Sequence, residues 1–221
     1  MNFNFSETTG LGATGSRQLE GDKIHTVKFD GCEATDYKDG QYKVLRIKFS
    51  NEDGVFTHTI FEPRPEDLQD TQGAYGPNPS NMKTMITTLR HLGAAVSPTL
   101  VETLNKLPDN MSWDQFRNKI VEASADGIGK ETKIKLFKRE RTDVNTGEKR
   151  VEAEFPRYIL SYDRDGKLYM RTNFIGNNTH FTTKELTDIQ KRNTAVPTPV
   201  EGGIVSSNPT KLADPDFDDE L

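Results

Sequence analysis

The stretch Lys130 to Arg141, KETKIKLFKRER, carries six bases against two acids. Read with the two-residue period of a β-strand, Lys133, Lys135, Phe137, Arg139 and Arg141 fall on one face, with Ile134 and Leu136 on the other. Four cations flanking one ring are suited to holding a single-stranded nucleic acid. The cations follow the phosphates and the ring stacks on a base, at roughly 1–3 kcal/mol per base. The same mixture recurs in Tyr42, Arg46 and Lys48 and in Lys167, Tyr169 and Arg171, with Arg157 and Tyr158 just upstream of the latter. On any one strand the plainer reading is a solvated edge guarded against aggregation, with tyrosines half-buried on the sheet. The recurrence on three strands sets the nucleic-acid reading beside it.

Other chemistry finds no support. Gly10, Gly12 and Gly15 in GLGATG spell a dinucleotide fingerprint. That turn works only between a strand and a helix, and here polar-leaning residues precede it and no helical pattern follows. GIGKET has Ser124 and Glu131 where a phosphate loop needs glycine and Ser/Thr. His25, His58, His91, His180 and Cys32 are scattered, without ligand spacing. DRDGK lacks the remaining ligand positions of a calcium loop, and there is no Gly-x-Ser-x-Gly. The expectation is a protein that is not an enzyme and needs no cofactor and no metal.

The elements that must position those residues belong to a polar chain. Of its 221 residues 33% are hydrophobic and 29% charged, with a mean hydropathy of −0.74. That allows one domain with a core plus unpacked segments. A single cysteine excludes an intramolecular disulfide. No secretory leader and no membrane span is apparent, so a cytoplasmic protein is expected. The net charge of −5 is unevenly placed: residues 194–221 hold six of the 34 acids and one of the 29 bases, which leaves 28 of each in residues 1–193. The body is neutral, so the acidic total does not argue against a polyanionic partner.

Residues 1–21 read as a flexible arm rich in Gly, Ser, Thr and Asn. Strands are predicted at KIHTVKF and YKVLRIKFS, the latter joined through the turn NEDG to VFTHTIFE. Helical stripes follow Ser80 and Pro98, and a third begins at the capping box of Ser112 with Gln115. Trp113, Phe116 and Ile120 share that stripe and read as core. Strands resume at TKIKLFKRER, at RVEAEFPRYILSY and, across DRDG, at KLYMRTNFI. A last helix starts at the box of Thr182 with Glu185, before a Pro/Gly/Ser linker. Three strands, a helical block and further strands give an α+β chain. The expected form is an OB-fold-like, five- to six-stranded antiparallel barrel with a helical insertion at about 80–127 between strands three and four. The domain runs over 22–193, and 194–221 is a disordered linker and acidic tail.

The last residues, ADPDFDDEL, have two physical uses beyond solubility. Their carboxylates can compete with nucleic acid for a basic groove, and Phe217 and Leu221 can enter a partner's pocket with a basic rim. A β-rich body, such a linker and the ending DPDFDDEL resemble the single-stranded DNA-binding proteins of bacteria and tailed phages, and VLRIKFSNEDGVFTHTIFEP and TNFIG are similar to phage-encoded members. The resemblance implies an OB-fold acting in replication, recombination and repair. It implies single-stranded DNA and replication or recombination proteins as partners, the latter recruited by Asp214, Asp216, Phe217, Asp218, Asp219, Glu220 and Leu221. Bacterial tails typically end in Pro-Phe, whereas here Phe217 lies four positions from the end. Homo-oligomerisation is left open, and the alternative function is a protein-interaction module, of virion or host takeover, docking through the helical block.

Overall fold

A computed structural model describes residues 17–37, 40–73, 76–108, 111–142, 146–156 and 159–194. Its centre is a five-stranded antiparallel sheet whose strands lie in the order Gly54–Phe61, Tyr42–Asn51, Lys23–Tyr37, Glu131–Thr142 and Lys149–Glu154. Strands β1 (Lys23–Tyr37), β2 (Tyr42–Asn51) and β3 (Gly54–Phe61) form a meander. Strand β6 (Glu131–Thr142) then pairs with the first half of β1 and, beyond Leu136, with β7 (Lys149–Glu154). Alternation sets the faces as the sequence predicts: Leu45, Ile47 and Phe49 point to the core while Tyr42, Arg46 and Lys48 point away. A bulge between Phe29 and Gly31 shifts the register of β1 and flips its alternation. The bend lets one long strand serve two offset partners. At the β2–β3 turn Asn51 Oδ1 accepts from the backbone N–H groups of Asp53 (2.9 Å) and Gly54 (3.1 Å). Gly54 is needed there because a Cβ would lie 2.0 Å from the Arg17 carbonyl oxygen.

Between β3 and β6 come a short hairpin, β4 (Thr71–Gly73) with β5 (Gly76–Asn78), and three helices. These are α1 (Asn81–Val96), α2 (Pro98–Asn105) and α3 (Trp113–Ala123). Ser80 caps α1, Pro98 sits at the first turn of α2 behind the cap Ser97, and Ser112 with Gln115 closes the box of α3. The helices lie on one face of the sheet, where Leu89, Leu92, Leu100 and Ile120 are fully buried. A run of rings crosses that core: Phe49 meets Phe29 (5.7 Å) and Phe56 (6.4 Å), and Phe155 meets Phe56 (4.8 Å) and Phe174 (5.0 Å). Helix α3 is tied to the β1–β2 hairpin end. Trp113 Nε1 donates to the Lys43 carbonyl (3.0 Å), Arg117 donates to the Thr35 carbonyl (2.8 Å), and Arg117 pairs with Asp36 (2.7 Å).

His58 faces this core, 5.0 Å from the Phe155 ring, and burial pushes its imidazole from 6.5 down to about 4. The unfolded chain takes up that proton first as pH falls. Stability contributed by neutral His58 is therefore full above about 6.5 and is lost as pH drops toward 4. The urea midpoint of wild type is expected to fall relative to that of His58→Leu as pH drops from about 6.5 toward 4.5, while parallel curves would remove His58 as the cause.

The barrel expectation is corrected. Phe155 reaches β3, but among the described residues no ladder joins β3 to β7, and the sheet stays open. Pro156, which has no N–H to donate, comes two residues after the end of β7 and keeps the strand from continuing. The predicted strand 150–162 is accordingly split. Its second half, β8 (Leu160–Tyr162), pairs with β9 (Leu168–Met170) as a separate hairpin whose turn is held by Asp163 Oδ1. Helix α4 (Thr183–Thr194) follows, with the expected box of Thr182 and Glu185. The architecture is α+β, and among the described residues no helix is long and apolar enough to cross a membrane. Residues 1–16 and 195–221 lie outside the described residues, and with them most of the predicted arm and all of the linker and tail beyond Thr194. Of the predicted arm, 17–21 are described, with Leu19 buried and bonded to Val55.

Candidate nucleic-acid interface

Lys135 is not where the strand alternation implies a groove residue should be. It lies on the predicted face of β6, opposite Ile134 and Leu136, yet it is 0% exposed. Helix α4 and the segment before it cover that face. The Lys135 ammonium donates to Glu185 Oε2 (2.8 Å) and Oε1 (3.0 Å), to the His180 carbonyl (2.8 Å) and to the Thr172 hydroxyl. The rings of Phe181 and Phe137 stand 5.4 Å and 5.8 Å away. Every ammonium proton has an acceptor, which is the condition for burying a charge. Burial alone would raise the Glu185 pKa, but the hydrogen bonds from Lys135, the Thr182 backbone and Thr172 hold it below the usual carboxylate range. Lys135 is therefore corrected from a phosphate contact to the anchor of α4.

Further along β6 the same face opens into a cleft of about 930 Å³ between β6–β7, Arg171 and α4. Phe137 forms part of its floor, edge-on to Phe181 at 5.5 Å. Six cations and four carboxylates line it, so its charge is largely balanced. Register explains the balance: Phe137 and Arg139 of β6 lie opposite Glu154 and Glu152 of β7. Arg139 pairs with Glu154 at 2.7 Å and Arg141 with Glu152 at 2.9 Å. The alternation of RVEAE carries this signal, since it puts both glutamates on one face. A phosphate entering here must displace a carboxylate from each arginine.

The outer face of β1–β3 is organised differently. Tyr37 and Tyr42 are register partners with rings 6.4 Å apart, and Phe61 meets Tyr42 edge-on at 6.2 Å. Tyr42 is 41% exposed and Phe61 53%. Val44 lies on this face between Thr35 and Phe61 in register and is shut off from solvent. Next along β2 comes Arg46, between Glu33 and Thr59, then Lys48, paired with Glu33 at 2.5 Å. Lys133 stands exposed on the same face of β6. Among the described residues neither Arg46 nor Lys133 forms an ion pair. Phe61 and Tyr37 were not among the sequence candidates. The period-2 alternation Thr57, Thr59, Phe61 would have placed Phe61 on the outer face.

The three predicted strand faces do not meet in one groove. Residues 42–48 lie on the meander, 137–141 line the cleft, and Lys167 and Tyr169 are exposed on the separate β8–β9 hairpin. Only Arg171, just past β9, reaches the cleft. Arg157 and Tyr158, and the tail residues 214–221, lie outside the described residues. A further ionic cluster ties β8 to α1: Asp70 accepts from Lys83 (2.7 Å) and from the Tyr162 hydroxyl (2.5 Å), and these hold its carboxyl down at about 2. Among the described residues no group of three or more His, Cys, Asp or Glu is placed to hold a metal ion. Comparison with known protein families, with curated proteins and with solved structures finds no match to this chain.

Proposed function

We propose that the chain is a non-enzymatic, sequence-tolerant single-stranded DNA-binding protein whose binding surface is the outer face of β1–β3. The observation that carries the reading is the exposed pair Tyr42 and Phe61 beside Arg46, a cation without an ion pair among the described residues. Rings accept any base on their faces and cations follow the phosphates, so the surface needs no sequence readout. The strand order supports it, since a 3-2-1 meander, a helical block, and then two strands added beside β1 follow the order of an OB-fold left open between its end strands. OB-folds bind oligonucleotides on the face of their second and third strands, which here carry Tyr42, Arg46, Lys48 and Phe61. Action in replication, recombination and repair, and recruitment of partner proteins by Asp214–Leu221, belong to the same proposal and rest on the sequence resemblance.

The test is fluorescence anisotropy of labelled oligo-dT and oligo-dA. Both are expected to bind with similar affinity, and Tyr42→Ala with Phe61→Ala should weaken binding at least about tenfold, given ~1–3 kcal/mol per stacked base. Arg141→Ala, in the balanced cleft, should leave it nearly unchanged. Binding that ignores the two rings but collapses with Arg141 would move the site to the cleft, and no binding by the wild type would end the reading.

A further inference from the structure

The two edges of the sheet are built to opposite rules. Strand β7 reads KRVEAE, with four charged residues of six, the usual guard against pairing with another chain. Strand β3 reads GVFTHTIF, without one charged residue or proline, and its only titratable group, His58, faces the core and is neutral at pH 7. In the β2–β3 ladder Phe56, His58 and Ile60 bond inward, as the Glu62 N–H to Lys43 carbonyl bond confirms (3.2 Å). The backbone groups of Thr57, Thr59 and Phe61 therefore point outward, where no described residue pairs with them. This open stretch has two ends. At Val55 both groups are taken, by the Arg17 carbonyl (2.8 Å) and the Leu19 N–H (2.9 Å). At Pro63 there is no N–H to donate.

We infer that a second copy of this chain pairs with this edge, β3 against β3 antiparallel across a two-fold axis at Thr59. Centring on Thr59 sets Thr57 opposite the partner's Phe61, and it gives all three outward residues a hydrogen-bonding mate from the same three residues of the other copy. A two-fold places the residue on the axis against itself, so a charge there would repel its own copy, and this strand carries none. Exposed Phe61 would lie over a β-branched threonine, a favourable cross-strand pair. The ladder is short, so association at micromolar concentration is the expectation.

Sedimentation equilibrium of the full chain reads the mass directly. Wild type is expected at twice its 24.9 kDa and Thr59→Lys at the single mass, with an unchanged circular dichroism spectrum. Val151→Lys, on the other edge, should remain dimeric. Because Thr59→Lys could perturb folding, Thr59→Cys supplies an independent reading. An antiparallel hydrogen-bonded pair stands about 5.5 Å apart at Cα, within disulfide reach. Mild oxidation should therefore cross-link Thr59→Cys dimers and not Val151→Cys. Native Cys32 does not interfere, as burial pushes its thiol up to about 11. A monomeric wild type, or a dimer that survives Thr59→Lys and gives no Thr59→Cys cross-link, overturns the inference. A monomer whose edge is filled by an extended peptide falls under the first outcome. None of these readouts uses nucleic acid, so the inference stands or falls apart from the proposed function.

Discussion

Replacing Lys135 by methionine is expected to lower stability by about 3–5 kcal/mol, the cost of breaking a buried ion pair from one side. The change leaves Glu185 without the ammonium that offsets its burial, and strips the His180 carbonyl and Thr172 hydroxyl of their shared donor. For a chain of this length the loss corresponds to a fall of roughly 6–20 °C in Tm. Lys135→Met with Glu185→Leu should recover most of it, because apolar replacement of both partners of a buried pair is often neutral. Thermal melts of the single and double variants measure this. A single variant within about 1 kcal/mol of wild type would mean that the pair contributes little beyond its own desolvation.

Salt carries the second large effect. Each phosphate neutralised on a single strand contributes about −0.7 to the slope of log affinity against log salt concentration. If Arg46, Lys48 and Lys133 each take one phosphate, the slope is about −2. Affinity for oligo-dT then falls about a hundredfold over a tenfold rise in salt. Arg46→Ala should reduce the slope to about −1.4. Lys48 must first leave Glu33, 2.5 Å away, so Glu33→Gln is expected to raise affinity at low salt. A slope near zero would show that phosphates are not what this face holds.

Much of the frame was legible in the sequence because it depends on neighbours. The turn at Asn51–Gly54, the caps at Ser80 and Ser112, and the box of Thr182 with Glu185 are decided within four residues. The alternation of β2 and β6 needed only the strand period, and it put Leu45, Ile47, Ile134 and Leu136 inside as expected. The fate of Lys135 was out of reach, because period 2 gives the face of a residue and not what covers it. Its cover comes from Glu185, fifty positions away, on a helix that could have lain elsewhere. Arg139 and Arg141 looked available for the same reason, as their carboxylates belong to the next strand. Barrel closure depended on a strand continuing past Phe155, and Pro156 could have been read as the stop.

The place of β1 in the sheet has a consequence for how the chain assembles. Its partner β2 begins five residues beyond its end, but its partner β6 pairs Leu136 with Lys23, 113 positions apart. Closing that loop costs about 3 kcal/mol more entropy than closing a four-residue turn. The meander and the helices can form early from local contacts, while β6 joins late. During synthesis at ~5–20 residues per second, β1 waits roughly 6–20 s with one edge unpaired and Val27 and Phe29 uncovered on that side. In that interval the nascent chain is most open to wrong pairings, and the charged residues in the first half of β1, Lys23, Lys28 and Asp30, stand along the waiting strand as its guard.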